Sequence, residues 1–88
     1  MGKWHLAGKY TKNNGQDAVY PDQRGFDHFY GILGGASSFY APFGLKRNRD
    51  SIDHEFMNDK NYYFTSAIGD EAISFLQKSR VDQPFFLY

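Results

Sequence analysis

The stretch "YYFTSAIGDEAISFLQKSRVDQPFFLY", residues 62–88, decides the fold class because a helical pattern in it precedes a strand pattern. The apolar positions of the expected helix recur at i, i+4, i+5 and i+8, on one stripe. They are Ile68, Ala72, Ile73 and Leu76. We expect Thr65 or Ser66 to cap this helix. After Pro84, the apolar run 85–88 predicts a strand buried on both faces, and helix followed by strand is typical of an α/β fold.

The rest of the chain has weaker patterns. Residues 1–7 are expected to be the end of a strand, with a turn at Gly8, and 9–24 are expected to be loop. The stretch 24–44 is rich in glycine and aromatic residues, which predicts tight turns or close backbone approach. Residues 45–61 are polar and of mixed charge, and we expect them to form a solvent-exposed segment outside the core.

Composition narrows the function classes. The 88 residues are within the range of one domain, and ten basic side chains balance ten acidic ones. No strong net field therefore favours nucleic acid or an anionic membrane, although net charge alone does not identify partners. We expect no nucleic acid as a partner and no membrane span. The sequence has no cysteine, which excludes disulfides, thiolate nucleophiles and zinc-thiolate sites. No apolar run approaches the roughly 20 residues that a membrane-spanning helix needs.

Aromatic residues make up 19% of the chain, a high load for so short a domain. Either many of these rings are exposed, or neighbouring structure covers them. The expected strand at 85–88 also ends with the chain itself. Together these features favour a piece of a larger domain, truncated at both ends.

Two histidine-containing motifs are weak metal-site candidates. The stretch "HEFMN", residues 54–58, lacks the second histidine of the zinc-protease helix, because Asn58 stands in its place. We expect a surface loop there. Asp27 and His28 are adjacent, so on a strand they would face opposite sides, and a structural hydrogen bond is expected rather than metal binding. No metal ligand is predicted in the chain.

The stretch "GKWHL", residues 2–6, is the best candidate for chemistry. In an extended segment Lys3 and His5 share one face, while Trp4 and Leu6 share the other and anchor the segment. An ammonium group beside an imidazole suits a tetrahedral oxyanion, since lysine supplies positive charge and histidine moves a proton near neutral pH. The same spacing is also expected of a strand end with an exposed lysine and a packed histidine.

Five motifs together resemble the formylglycine-dependent sulfatases, especially their arylsulfatase-like members. These are "GKWHL" at 2–6, "RGFDHFYG" at 24–31, "GGAS" at 34–37, "YYFTSAIGDEAISFL" at 62–76 and "PFFLY" at 84–88. Their order and approximate spacing match the family over almost the whole chain. The pairing of "GKWH" with "RGFD" is the most specific part of the resemblance.

The resemblance implies an alkaline-phosphatase-like α/β sandwich with a central mixed sheet, of which residues 1–88 form part of the catalytic domain. It implies hydrolysis of sulfate esters, on small molecules or on carbohydrates, with a calcium ion and a formylglycine nucleophile. Carried over by motif, Lys3 and His5 are the catalytic residues. Lys3 binds the sulfate oxygens, and His5 contacts the formylglycine hydrate. The family is usually exported to the periplasm, the extracellular space or the lysosome, although these residues do not indicate a compartment.

The departures from the family pattern also carry information. Ala7 stands where the family usually has glycine, and Ser66 stands where aspartate is common. No Cys/Ser-x-Pro-x-Arg motif, the precursor of formylglycine, occurs in the chain. The calcium ligands of the family lie outside the region represented here. We therefore expect the isolated chain to be inactive.

Two other functions stay open on the sequence. A phosphatase or phosphodiesterase of the same superfold would use a serine or threonine nucleophile, which the preceding sequence would reveal. A small aromatic-rich binding module, for example for sugars that stack on exposed rings, would unfold cooperatively as an isolated chain.

Overall fold

The computed structural model describes residues 1–7 and 19–88, which contain a mixed four-stranded sheet. In chain order and in sheet order its strands are β1 (Gly2–Lys3), β2 (Tyr30–Ile32), β3 (Leu45–Arg47) and β4 (Asp50–Ser51). Strand β1 is parallel to β2, whereas β2–β3 and β3–β4 are antiparallel. The turn expected at Gly8 and much of the loop expected over 9–24 lie outside the described residues.

Three helical segments accompany the sheet. They are a short 3₁₀ helix (Pro21–Arg24), helix α1 (His54–Met57) and helix α2 (Phe64–Lys78). The predicted α/β class with a mixed sheet is confirmed. No helix in the described part of the chain is both long enough and apolar enough to cross a membrane.

Strand β2 is buried on both faces. Tyr30 and Ile32 point to one side, where they join the larger core. The other members of that core are Leu45, Ile52, Phe56, Tyr62 and Phe64. Phe29 and Leu33 flank β2 on the opposite side and pack with Ala7 in a smaller cluster. Because side chains alternate along a strand, β2 separates these two apolar layers.

The prediction that residues 45–61 form a solvent-exposed segment outside the core is wrong. This segment contributes β3, β4 and α1, and it buries Leu45, Ile52 and Phe56 in the larger core. The start of this segment is held by Asp53, whose carboxylate accepts a hydrogen bond of 2.8 Å from the backbone N–H of Leu45. The expectation of a loop at "HEFMN" is wrong for the same reason, since the buried Phe56 ring draws these residues into helix α1.

The predicted helix is confirmed as α2, but its start differs from the expectation. Its N-cap is Tyr63, which makes no side-chain capping hydrogen bond, rather than Thr65 or Ser66. The backbone N–H of Phe64 instead donates to the carbonyl oxygen of Phe39, at 2.7 Å. A helix begins with unsatisfied N–H groups, and here a loop carbonyl satisfies one of them.

The packed face of α2 also differs from the predicted stripe. Ala67 and Ile68 pack against the larger core, whereas Ile73 and Leu76 are exposed. The packed row continues through Glu71, whose carboxylate is drawn toward the sheet by ion pairs. A charged residue on the inner face hides this row from a search for apolar periodicity.

The strand expected at 85–88 is not formed. These four residues have no strand assignment and are exposed. The ring of Phe85 packs on Phe75 at 6.0 Å, and the ring of Phe86 packs on Phe26 at 6.3 Å, between ring centroids. A strand buried on both faces needs a pairing partner and two covering layers, and the described residues supply neither to this segment.

Candidate functional site

Lys3 lies at the carboxyl end of strand β1. Its ammonium nitrogen donates a hydrogen bond of 3.2 Å to the backbone oxygen of Gly35, and its side chain is exposed. An ammonium group has three donors, so this contact leaves two for an anion. Strands β1 and β2 are parallel, and Gly35 follows β2 at the same edge of the sheet.

His5 follows β1 with an unusual backbone conformation. Its φ is 53°, in the left-handed region that L-residues other than glycine rarely adopt. Its backbone N–H donates to the oxygen of Leu33, at 3.0 Å, which fixes the turn beside the end of β2. Regular strand ends at Lys3, so the extended segment expected to carry both Lys3 and His5 is not formed.

The imidazole of His5 nevertheless reaches the same residue as Lys3. A Cβ atom built on Gly35 would lie 2.4 Å from Nε2 of His5, so the ring fits against this position only because glycine has no side chain. Lys3 and His5 thus converge on Gly35. The imidazole is exposed, which differs from the packed structural histidine of the alternative interpretation.

Glycine also allows β1 and β2 to approach closely. A Cβ atom on Gly31 would lie 1.7 Å from the backbone oxygen of Gly2, and Gly31 has a φ of 152°. The close backbone approach predicted for the glycine-rich stretch 24–44 is confirmed at Gly31, whereas Gly35 is approached by the side chain of His5. The approach of β1 to β2 at Gly31 sets the position of β1, and therefore of Lys3.

The segment "GKWHL" is anchored by its tryptophan. The indole N–H of Trp4 donates to the backbone oxygen of Val19 at 2.8 Å, and the ring packs edge-on against Phe26 at 5.8 Å. Leu6 does not share this role, because it is 67% exposed. The expected apolar anchor is therefore Trp4 alone.

A second polar cluster was missed by the sequence analysis. The guanidinium of Arg47 bonds both oxygens of Glu55, at 2.6 and 3.3 Å, and both oxygens of Glu71, at 3.1 and 3.0 Å. Nε2 of His28 lies 2.9 Å from Glu71, so the structural hydrogen bond expected of His28 goes to α2 rather than to Asp27. These contacts tie β3, α1 and α2 together.

The electrostatics of this cluster follow from its pairing. Burial alone would raise the pKa of Glu71, but the hydrogen bonds and charge of Arg47, with those of His28, outweigh it and lower that pKa. The nearby hydroxyls of Tyr30 and Tyr62 lie 2.9 Å apart, and burial raises the pKa of both. Glu71 lies three residues after Ile68 on α2, and that spacing is the one signal that would have placed it on the inner face.

The described residues do not fit a calcium site, because no group of three or more histidine, aspartate or glutamate side chains among them is placed to hold a metal ion. The sequence likewise contains neither cysteine nor the motif that yields formylglycine. What the site offers is an ammonium group and an imidazole at one exposed sheet edge.

Comparison with known proteins identifies the family. The family model for sulfatases matches residues 1–88. The chain is 28% identical over 105 residues to the uncharacterized sulfatase YdeN of Escherichia coli (strain K12), covering 100% of this chain and 18% of that protein. It is 28% identical over 101 residues to the uncharacterized sulfatase PB10D8.02c of Schizosaccharomyces pombe, covering 99% of this chain and 17% of that protein. The chain spans less than a fifth of the length of these relatives, and it belongs to the sulfatase family.

Proposed function

We propose that these residues form part of the active site of a sulfuric ester hydrolase. The observation that carries the proposal is the convergence of Lys3 and His5 on Gly35, at the shared carboxyl edge of β1 and β2. Ligands of open α/β sheets bind outside the carboxyl ends of the strands. Membership of the sulfatase family makes a sulfate ester the anionic substrate that fits best.

Lys3 binds the sulfate group. Its ammonium is held at the sheet edge by Gly35 and keeps two donors for sulfate oxygens. Negative charge develops on those oxygens as the ester bond breaks, and a fixed positive charge stabilises it most in the transition state. The close approach of β1 to β2 holds Lys3 in place before substrate arrives.

His5 moves a proton. Its imidazole lies beside the same glycine that Lys3 contacts, so a sulfate held by Lys3 is within reach of a group that exchanges protons near neutral pH. The left-handed backbone of His5 supports this role, since strained residues concentrate at functional sites.

The remaining parts of the catalytic machinery come from outside these 88 residues. A nucleophile attacks sulfur, and the chain contains no Cys/Ser-x-Pro-x-Arg motif to supply it. We accordingly propose that the isolated chain is inactive. The substrate is a small sulfate ester or a sulfated carbohydrate.

The experiment uses the full polypeptide translated from the natural reading frame that contains residues 1–88, assayed with 4-nitrophenyl sulfate and 4-nitrophenyl phosphate. We expect sulfate to be the preferred ester. Lys3→Ala should lower kcat/KM about 100-fold, as removal of one transition-state donor does. His5→Ala should lower kcat by about 100-fold or more, as loss of a positioned proton-transfer group does.

Two control variants change the same residue types away from the site. Lys46 donates to Ser51 between β3 and β4, and His54 begins helix α1 on an exposed surface. Lys46→Ala and His54→Ala should both stay within about twofold of the unmodified protein, as surface changes remote from the chemistry do. Preference for the phosphate ester, or equal activity of Lys3→Ala and Lys46→Ala, would contradict the proposal.

A further inference from the structure

The left-handed backbone of His5 lies between two anchored residues. Trp4 comes directly before it and packs against the smaller cluster, and Ala7, two residues after it, is a buried member of that cluster. A residue stays in a sparsely populated conformation only where the surrounding structure imposes it. His5 and Leu6 therefore form a two-residue bridge, and the φ of 53° at His5 depends on how firmly the two ends of the bridge are held.

Trp4 is the end of the bridge that specific contacts fix. Its indole N–H donates to the backbone oxygen of Val19 at 2.8 Å, and Phe26 packs edge-on against its ring, with an interplanar angle of 81°. Its backbone N–H donates to the oxygen of Ile32 at 2.9 Å. Hydrogen bonds are directional, so these contacts determine how Trp4 is rotated, whereas Ala7 has only a methyl group to pack.

Lys3 is held by different contacts. It lies within β1, where it pairs with Ile32, and its ammonium donates to the oxygen of Gly35 at 3.2 Å. The close approach of Gly31 to Gly2 sets the position of this strand. These contacts do not involve the indole of Trp4, so a change confined to the indole should act on His5 and leave Lys3 in place.

We propose that Trp4 is a positioning residue for His5, whose imidazole it holds against Gly35; this inference rests on the proposed function, in which His5 moves a proton. The left-handed region is unfavourable for an L-residue, so without its anchor the backbone of His5 relaxes out of that region. The imidazole then leaves its place beside Gly35. Sulfate stays bound at Lys3, but the group that exchanges a proton with it is displaced.

The first test is kinetic and uses the full polypeptide with 4-nitrophenyl sulfate. Trp4→Phe keeps an aromatic ring at this position and removes the N–H donor. We expect kcat to fall about tenfold, less than in His5→Ala, because the remaining ring keeps part of the packing. KM should change less than about twofold, since Lys3 is untouched. In a His5→Ala background, Trp4→Phe should lower kcat less than about twofold further, because the positioned group is already absent.

The control is Phe29→Leu. Phe29 is buried in the same smaller cluster, but its backbone N–H and oxygen are both bonded to Asn48, which follows β3. Truncation of this ring should lower the melting temperature at least as much as Trp4→Phe does. It should change kcat less than about twofold. The comparison separates a positioning effect from a general loosening of the cluster.

The second test measures melting temperatures and does not depend on turnover. Glycine adopts the left-handed region without the steric cost that alanine meets. His5→Gly should therefore melt about 2 °C above His5→Ala when Trp4 is present. In Trp4→Phe the backbone is free to leave that region, so the advantage of glycine should disappear. If Trp4→Phe is insoluble, Phe26→Leu replaces it in both tests, because it removes the ring that packs on the indole.

Three results would overturn the inference. One is a kcat of Trp4→Phe within about twofold of the unmodified protein, and another is an equal loss of kcat in Phe29→Leu. The third is an undiminished advantage of glycine over alanine at position 5 in Trp4→Phe. If His5→Ala itself kept full turnover, the role proposed for His5 would fail, while the melting temperatures would still decide whether Trp4 holds its backbone.

Discussion

Replacing Gly35 by alanine should impair the site without unfolding the protein. The added Cβ would lie 2.4, 2.7 and 2.9 Å from three atoms of the His5 imidazole. Ordinary contact begins at 3.4 Å, so the ring must move by about 1 Å. Gly35 does not have a left-handed φ. The group that the added Cβ would meet is the His5 side chain, which is exposed and free to rotate. The backbone therefore accepts alanine.

A displacement of about 1 Å in a positioned catalytic group costs about 100-fold in rate. We therefore expect Gly35→Ala to lower kcat/KM for 4-nitrophenyl sulfate by that factor in the full polypeptide. The melting temperature should change by less than about 2 °C, because only an exposed side chain moves. The assays are steady-state kinetics and thermal unfolding of the same preparations.

The adjacent glycine provides a matched control. A Cβ atom on Gly34 meets no atom within 4 Å, so Gly34→Ala should retain full activity. In a His5→Ala background, Gly35→Ala should cost nothing further, since the displaced ring is already gone. Equal kcat/KM for Gly35→Ala and Gly34→Ala, or full additivity with His5→Ala, would refute the reasoning.

Two further variants test how the site and the helix are held. Gly31→Ala should abolish folding of this region, measured as loss of soluble protein, because its Cβ would lie 1.7 Å from the backbone oxygen of Gly2. Glu71→Gln should lower the free energy of unfolding by about 1 kcal/mol at pH 7, since Arg47 and His28 lose a charged partner. The pKa of Glu71 in the folded state is lowered from its ordinary value of 4.5. The contribution of Glu71 to the free energy of unfolding is therefore complete above pH 4.5 and should disappear as the pH falls through the lowered pKa. Chemical denaturation across that pH range measures this loss.

Exposed neighbours on α2 serve as controls for both variants. A Cβ atom on Gly69 would meet no atom within 4 Å. Gly69→Ala should therefore stabilise the protein, because alanine in a helix interior is about 1 kcal/mol more favourable than glycine. Asp70→Asn alters an exposed carboxylate and should change the free energy of unfolding at pH 7 by less than about 0.5 kcal/mol. A soluble Gly31→Ala protein with normal stability would contradict the first prediction. The second would be contradicted if Glu71→Gln lost as much free energy of unfolding at acid pH as the unmodified protein does.

The sequence patterns predicted α2 well and the segment before it poorly. A 15-residue helix repeats its period often enough to be recognised, whereas β3, β4 and α1 have only two to four residues each. The buried side chains of the segment 45–61, Leu45, Ile52 and Phe56, are separated by charged residues, which conceals any period. The strand expected at 85–88 was inferred from composition, but pairing depends on partners that composition does not contain.

Lys3 and His5 were named as candidate site residues from the sequence, whereas their geometry was not predictable from it. Spacing and family resemblance both singled out Lys3 and His5 for one anionic group. Neither indicated that both side chains contact Gly35, which lies 30 positions after His5. The left-handed backbone of His5 was likewise unpredictable, because histidine adopts that conformation only rarely, although more often than most residues other than glycine.

That backbone conformation has a consequence for laboratory evolution. Holding an L-residue in the left-handed region costs roughly 1 kcal/mol that glycine would avoid. A library screened only for heat resistance would therefore enrich glycine at position 5 and discard the imidazole. Thermostable variants of this family member are best sought with turnover as a second screen, because at position 5 the residue that best tolerates the backbone differs from the one proposed to move a proton.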